Sequence, residues 1–562
     1  MTKFERNLDK WVTADFETTT EKFYLEFGST MVWLWAISNN EGHMIIWGKD
    51  IESFMDYCFN NLNGYTIYFH NLKFDGSYIL SYLLNMNYKF KDKVIANDNK
   101  CYSALISEEG QYYQILVHRA KNHTIKFQDS LKLLPFKVAK IAEDFNLPIK
   151  KGIIDYDNYV VNEETISYIQ NDVEIVALAL KEIKALGMVN MTTASCAYHN
   201  FSNMFPFMED YFPELDELFL EKYRLAYRGG RSQVNPAYEN NIVYNVNRYD
   251  INSMYPYIMS ELELPYGKPI KLYDRGYYKF ELYEVDIKFK LKEGHLPTLL
   301  AKNVMFGDGS YYIETDGVER MCISNIDYEL LEKHYDIEIV QFLEIYGFKT
   351  VKHLFKPYVD FWYEVKSQNK GAKRMVAKLM LNSLYGKFGS RCKGRGKIPY
   401  LDENGIIQFK LSDEQQMKKY YLPIAIAIVS HAHKLIDDGI MATGVNNFIY
   451  CDTDSIHTIG SLPENLVDNK ELGKFKLEGV ELKSRYIRQK TYVYCEEENN
   501  EIVYNITCAG MDDISKKYAL DTYGKDIFNV FEKGFKVEGF KLMPQMVKGG
   551  VILVKTSFEV RK

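Results

Sequence analysis

The sequence predicts a globular multidomain chain that mixes α/β and α+β units, and three observations carry that expectation. Its 562 residues are more than one hydrophobic core serves, and the length suggests about three to five domains. The first 190 residues alternate strand-like and helix-like segments. Further on, Asn446-Asn447-Phe448-Ile449-Tyr450-Cys451-Asp452-Thr453-Asp454-Ser455-Ile456-His457 reads as a hairpin with two carboxylates at its tip. Spaced i, i+2 on a strand, Asp452 and Asp454 share one face. Two bare carboxylates held together are unfavourable unless cations compensate them. Alone, the stretch reads more readily as a plain turn between ordinary strands, and the rest of the chain is what overturns that reading.

Composition narrows the class. Hydrophobic residues at 46% and charged residues at 26% fit a folded soluble protein. With 69 Lys+Arg against 76 Asp+Glu and a net charge of −7, the chain is no generic polyanion binder. Any nucleic-acid surface must be a local basic stripe. Aromatics at 15% could supply base-stacking platforms, but a Tyr-, Lys-, Asn- and Ile-rich coding bias accounts for most of them. Cys58, Cys101, Cys196, Cys322, Cys392, Cys451, Cys495 and Cys508 form no C-x-x-C pair. That argues against zinc ribbons and a disulfide framework, and fits a reducing compartment. Met1 to Lys10 is charged and lacks an apolar signal core. The longest apolar run, Tyr420 to Ser430, is too short to span a bilayer. No G-x-x-x-x-G-K-[ST] occurs, which disfavours P-loop chemistry.

In chain order, Trp11 to Thr19 is β-like, with Asp15 and Glu17 on one face. Thr66 to Asn71 is a strand running into Leu72-Lys73-Phe74-Asp75-Gly76, where a helix is plausible and Gly76 relieves crowding beside a third carboxylate, Asp75. Glu163 to Leu180 has helical spacing that puts Tyr168 and Asp172 on one face, and Lys151 precedes it. Four carboxylates (Asp15, Glu17, Asp75, Asp172), a tyrosine and a lysine make a two-metal hydrolysis kit, with Tyr168 orienting the attacking water. Each piece alone is weak, because surface Asp and Glu are common.

Tyr227-Arg228-Gly229-Gly230-Arg231 follows, its glycines permitting positive φ and a close backbone approach. It reads equally as a basic turn. Next, Asn245 to Pro256 delivers Asp250, the third carboxylate that the Asp452/Asp454 pair requires. Between Lys366 and Lys397 lie ten basic residues and no acidic one. Within that stretch, Lys373 to Gly386 reads as a helix with Arg374, Lys378, Asn382 and Tyr385 on one face and Leu and Met on the other. Such a face suits a triphosphate, and Tyr385 with Gly386 can accept a flat base. A solvated amphipathic helix is the alternative. Beyond the hairpin, Arg485 to Tyr492 is basic and aromatic, and equally an edge strand.

Asp-Phe-Glu-Thr, Asn-Leu-Lys-Phe-Asp-Gly and Tyr-Ile-Gln-Asn-Asp resemble the three exonuclease motifs of family B DNA polymerases. D-x-x-S-M-Y-P, K-x-x-x-N-S-x-Y-G, D-T-D and K-x-Y resemble their polymerase motifs in the same order. The resemblance spans essentially the whole chain. It implies an RNase H-like 3′→5′ exonuclease domain followed by a right-hand polymerase of palm, fingers and thumb. The long interval from Asp250 to Lys378, and Ser390 to Tyr421 after it, are similar to the two inserted subdomains of the protein-primed phage branch. Implied boundaries are 1–190 for the exonuclease, 191–261 and 422–508 for the palm, 262–353 and 390–421 for the inserts, 354–389 for the fingers and 509–562 for the thumb.

The resemblance also implies roles. Asp250 and Asp454 would hold two Mg²⁺ ions, with Mn²⁺ able to substitute, while Asp452 supports them. Asp15, Glu17, Asp75 and Asp172 would hold another pair, with Lys151 as an extra catalytic lysine. Thr18, His70, Asn71, Phe74, Ser130, Leu131 and Tyr156 would contact the single-stranded 3′ end. Tyr227, Arg228, Gly229 and Gly230 would touch template. Ser253, Lys366, Arg374 and Lys378 would bind the triphosphate, Tyr255 would wall off a 2′-hydroxyl, Asn382, Tyr385 and Gly386 would line the nascent pair, and Lys490 and Tyr492 would steady the primer end. Implied partners are primer-template DNA, dNTPs, a terminal priming protein and a single-stranded-DNA-binding protein, with no membrane. The expected state is a monomer, or a heterodimer with the terminal protein, in the cytoplasm of an infected bacterium with strand displacement during synthesis. The rival readings are a nucleic-acid-primed family B polymerase and a DNA-binding protein with dead motifs.

Overall fold

The computed structural model describes residues 10–93, 98–301 and 311–561, so of the charged N-terminal stretch only Lys10 falls within the described residues. The N-terminal part is built on an eight-stranded mixed sheet. Its order is Met44–Gly48, Val32–Asn39, β1 (Trp11–Thr18), Thr66–Phe69, His123–Asp129, Tyr112–Ala120, Cys101–Ile106, Lys89–Phe90. β1 lies inside that sheet, antiparallel to Val32–Asn39 and parallel to Thr66–Phe69, which explains its nearly continuous burial. Helix α1 (Leu72–Asn85) starts after Asn71, which takes the left-handed conformation at φ 72°. A Cβ on Gly76 would come within 3.2 Å of Leu72 and 3.3 Å of Ile115, so the glycine lets α1 lie close on the sheet. Helix α2 (Glu163–Ala185) is started by a reciprocal capping box between Asn162 and Thr165.

The second half is organised on a seven-stranded sheet whose centre is antiparallel. β2 (Ser232–Val234) forms one edge and β3 (Ile242–Ile251) is central. A four-stranded sheet, Leu264–Leu272, Tyr335–Val351, Phe280–Leu291 and Glu319–Ser324, is inserted after β3 and carries α3 (Asn325–His334). Two helices follow, α4 (Lys356–Gln368) and α5 (Gly371–Phe388). Small hairpins, including Lys397–Leu401 with Ile407–Leu411, separate α5 from α6 (Leu422–Thr443). Apolar almost all round, α6 is buried over most of its length, as that pattern requires. A Cβ on its Gly439 would stand 2.6 Å from Phe475 and 3.2 Å from Ile456, so α6 lies directly on the seven-stranded sheet. β4 (Phe448–Asp452), β5 (Ser455–Ile459), β6 (Phe475–Arg488) and β7 (Thr491–Glu498) complete the central strands.

Two distant hairpins return to the N-terminal sheet. Ile407 enters its core, and Phe409 packs edge-on against Tyr112. From the C-terminal pair Lys536–Val547 and Gly550–Glu559, Val551 accepts a hydrogen bond from Tyr78 and Lys548 O accepts one from Thr30 N–H. All eight cysteines are buried.

Candidate active sites

The first site gathers at one end of the N-terminal sheet. β1 supplies Asp15 and Glu17, α1 supplies Asp75, and α2 supplies Tyr168 and Asp172. Glu17, Asp75 and Asp172 are almost wholly buried. Burial pushes all four carboxyls up, Asp15 to about 7 with Asp172 adding to the shift, and Glu17 and Asp75 well above their ordinary range. Lys151 pairs with Asp172; burial disfavours its ammonium, but Asp172 prevails and raises its pKa. The Tyr168 hydroxyl lies 2.9 Å from that of Tyr156. Thr18, Phe74, Lys151, Tyr156 and Tyr168 line one cleft of about 760 Å³ with Asp15, Glu17 and Asp172. Leu542, Leu553 and Lys555 from the C-terminal hairpin line its far wall, which no local motif announced.

Two of the expected DNA contacts here are hydrogen-bonded within the protein. Ser130 is fully buried, its hydroxyl donating to Phe69 O at 3.0 Å. His70 has Nδ1 3.0 Å from Ser130 Oγ and Nε2 2.7 Å from Phe136 O. Both polar edges are engaged within the protein, so these two residues brace the exposed Asn71 and the half-buried Leu131. Asp129 Oδ1 accepts from the N–H groups of both Asn71 and Leu131.

The second site forms where β3 meets the β4–β5 turn. Asp250 pairs in register with Ser455, and Ile251 N–H donates to Asp454 O at 2.8 Å. Thr453, at φ 62°, makes the turn between Asp452 and Asp454. Burial, then the neighbouring Asp454, raises Asp250 to about 7, and burial raises Asp454 as well. Around them, Lys366 Nζ donates to Ser253 Oγ at 3.0 Å and Arg374 Nη1 to Lys366 O at 3.0 Å. Burial and the nearby Arg374 and Lys378 lower the Lys366 pKa. The rings of Tyr255 and Tyr385 stack at 4.1 Å and 21°. Lys378, Asn382 and Gly386 are exposed along α5, and a Cβ on Gly386 would meet nothing within 4 Å. Lys490 lies 3.4 Å from Asp452.

Three groups of motif residues at this site have particular surroundings. Tyr492 is 9% exposed and stacks on Tyr486 at 4.9 Å; β7 is an interior strand, so Tyr492 supports the Lys490 turn from within. Arg228 is 6% exposed, and its guanidinium donates to the carbonyls of Leu300 and Cys322, so it anchors the loop. Neither Gly229 nor Gly230 has a positive φ. The glycines therefore answer to space. Gly229 is exposed, Gly230 half-buried, and the Tyr227 ring seats against Gly389, where a Cβ would come within 2.7 Å.

A buried ionic cluster behind the turn escaped the sequence. Asp437, on α6, meets Arg231 at 3.0 Å, Lys333 at 2.7 Å and His334 at 3.1 Å. His433 bridges Asp327 Oδ1 at 2.8 Å and Gly229 O at 2.7 Å. The available signal was polar residues interrupting the apolar run of α6.

Both carboxylate groups suit divalent cations. Asp172 Oδ1 and Asp250 Oδ1 are buried without a hydrogen-bond partner, and burial is the main cause that raises the carboxyls of both groups. Among the described residues no three His, Cys, Asp or Glu side chains already form a metal cage; bare carboxylates repel, and Lys151 and Lys490 lean on one member of each group.

Comparison with known proteins gives the family. Residues 56–162 and 157–472 match the family described as DNA polymerase type B, organellar and viral. The DNA polymerase of Bacillus phage B103 is 35% identical, with 98% of this chain and 100% of that one covered. That of Streptococcus phage Cp-1 is 32% identical over 98% and 99%. The structure of phi29 DNA polymerase complexed with primer-template DNA and incoming nucleotide substrates superposes with a TM-score of 0.89 at 33% identity, covering 98% of this chain and all of that one. With a family match over most of its length and relatives of this identity aligned from end to end, this chain belongs to the type B DNA polymerases of the organellar and viral kind.

Proposed function

We propose that the chain is a replicative, protein-primed DNA-dependent DNA polymerase with a 3′→5′ proofreading exonuclease and strand-displacing synthesis. The observation that carries the synthetic activity is the meeting of Asp250, on β3, with Asp454, in the β4–β5 turn, beside stacked Tyr255 and Tyr385 and the Lys366–Ser253 contact. Asp250 and Asp454, with Asp452 in support, would hold Mg²⁺ ions, which when bound lower the pKa of the primer 3′-hydroxyl and neutralise developing phosphate charge. Lys366, Arg374 and Lys378 receive the triphosphate of the dNTP. Tyr255 closes the space under the sugar, while Asn382, Tyr385 and Gly386 provide a flat seat for the new base pair. Lys490, on an exposed turn beside Asp452, steadies the primer terminus. Base identity is read by pairing and fit, not by protein contacts to base edges.

Asp15, Glu17, Asp75 and Asp172 form the hydrolytic site, with Lys151 and Tyr168 beside the scissile phosphate. Thr18, Asn71, Phe74, Leu131 and Tyr156 guide the single strand. In this reading residues 1–190 are the exonuclease, 191–261 and 422–508 the palm, 354–389 the fingers and 509–562 the thumb. Residues 262–353 meet the terminal protein, and 390–421 help to enclose the DNA. Among the described residues no helix is long and apolar enough to cross a membrane, and the enzyme works in the cytoplasm of the infected bacterium, where a single-stranded-DNA-binding protein covers the displaced strand.

Three assays test the proposal. Primer extension with dNTPs and Mg²⁺, and degradation of a labelled single strand without dNTPs, should both proceed. Transfer of a first deoxynucleotide to a small basic protein encoded beside this chain should follow with no nucleic-acid primer present. Extension without that transfer would limit the activity to nucleic-acid primers.

A further inference from the structure

Gly229 and Gly230 are neighbours in different surroundings. A Cβ on Gly229 would meet nothing within 4 Å. One on Gly230 would stand 2.9 Å from Thr453 Oγ1, 3.1 Å from its Cγ2 and 3.4 Å from its Cβ. Thr453 is the left-handed residue between Asp452 and Asp454, and its N–H donates to Arg231 O at 2.7 Å. Asp452 itself pairs with Ser232 on β2. The loop carrying the glycines is thus laid directly on the turn that presents the carboxylates.

Nor can the loop retreat. Gly229 O is held by His433, which is held in turn by Asp327 on α3. Arg231, 1% exposed, is paired with Asp437 at 3.0 Å, and Arg228 is anchored on two backbone carbonyls. A side chain added at 230 would therefore displace Thr453 rather than the loop. Threonine has no long flexible end to swing aside, so the shift passes into the turn and its two carboxylates.

We propose that Gly230 is a positioning residue for nucleotidyl transfer: the Cβ it lacks is the space in which Thr453 seats, and that seat sets the projection of Asp452 and Asp454. The inference rests on the polymerase reading of this site. It separates the two glycines by task, Gly229 leaving room for a strand and Gly230 leaving room for the catalytic turn.

Single-nucleotide insertion is measured for the wild-type full chain, Gly230→Ala, Thr453→Ala and the double variant. A misplacement of about 1 Å can lower a rate on the order of a hundredfold, so Gly230→Ala should lower kcat roughly ten- to a hundredfold. The KM for dNTP and the Kd for primer-template should stay within about twofold of wild type, the pattern of a group acting on the chemical step. Thr453→Ala removes the two nearest atoms and leaves only an ordinary contact at 3.4 Å. The double variant should therefore recover most of the loss and approach Thr453→Ala alone. Should Gly230→Ala fail to fold, the double variant must still fold and match Thr453→Ala. Independent, multiplying effects of the two substitutions would overturn the proposal. So would a raised Kd or KM with unchanged kcat, which would return Gly230 to strand contact. A wild-type chain that does not extend primers would instead remove the polymerase reading itself.

Discussion

Replacing Tyr255 by valine separates two contributions of one ring. Tyr255 follows Ser253, a left-handed residue at φ 50° that starts the helix Met254–Glu261, and its ring stacks on Tyr385 at 4.1 Å. Losing that pair removes about 0.5–1.5 kcal/mol, roughly a two- to twelvefold effect on binding, and it acts alike on dNTPs and rNTPs. The wall acts on one class only. Forcing an extra group into occupied volume costs about 1–3 kcal/mol, so opening that volume should move the rNTP/dNTP ratio of kcat/KM by roughly five- to 150-fold. Insertion opposite one template base, with matched deoxy- and ribonucleotides, measures the ratio directly. Tyr255→Phe keeps the ring and should keep the selectivity. An unchanged ratio in Tyr255→Val, with dNTP insertion weakened, would mean that the ring only supports Tyr385.

The two carboxylate sites should be separable. Asp454→Ala should lower extension by on the order of 10²–10³-fold or more while single-strand degradation persists, and Asp15→Ala with Asp75→Ala should do the reverse; loss of both activities from either folded variant would refute the two-site assignment. Gly229→Asp adds a repelling charge at an open position and removes strand contacts of about 1.5–3 kcal/mol each. The ratio of degradation to extension on one primer-template should then rise on the order of tenfold or more, and a wild-type ratio would reduce the glycine to a turn former. Asp437→Asn strips the anion from buried Arg231, which should cost about 3–5 kcal/mol of stability at neutral pH. Burial disfavours the Asp437 anion, but His334, Arg231 and Lys333 prevail and hold its carboxyl below its ordinary 3.8. Its stabilisation is present above that value and is lost as pH falls through the lower folded one. The gap in urea midpoint between wild type and variant should narrow progressively as pH falls below about 4; a gap that stays constant from about pH 7 to pH 3 would show that Asp437 acts by packing.

The sequence by itself determined the local chemistry. Strand alternation put Asp15 and Glu17 on one face of β1, and helical spacing put Tyr168 with Asp172 on α2 and Arg374, Lys378, Asn382 and Tyr385 along α5. Those relations need only the backbone period of one element. The D-T-D turn was legible for the same reason, its two carboxylates standing on either side of the left-handed Thr453. The family followed from the order of such local motifs.

Only the tertiary structure decided which polar groups face outward. Ser130, Tyr492 and Arg228 sit in motif positions that read as DNA contacts, yet packing from distant strands buries them. Side-chain identity says nothing of which neighbours close over it. The roles of the glycines were undecidable for a related reason. Glycine is read locally as conformational freedom, whereas at 230 it answers to Thr453, more than two hundred residues away in the chain. The Asp437 cluster joins α6, α3 and the glycine loop, and the exonuclease cleft borrows a wall from the C-terminal hairpin. Such contacts exist only once elements far apart in sequence have docked, because burial and electrostatic compensation belong to the packed volume and not to any single segment.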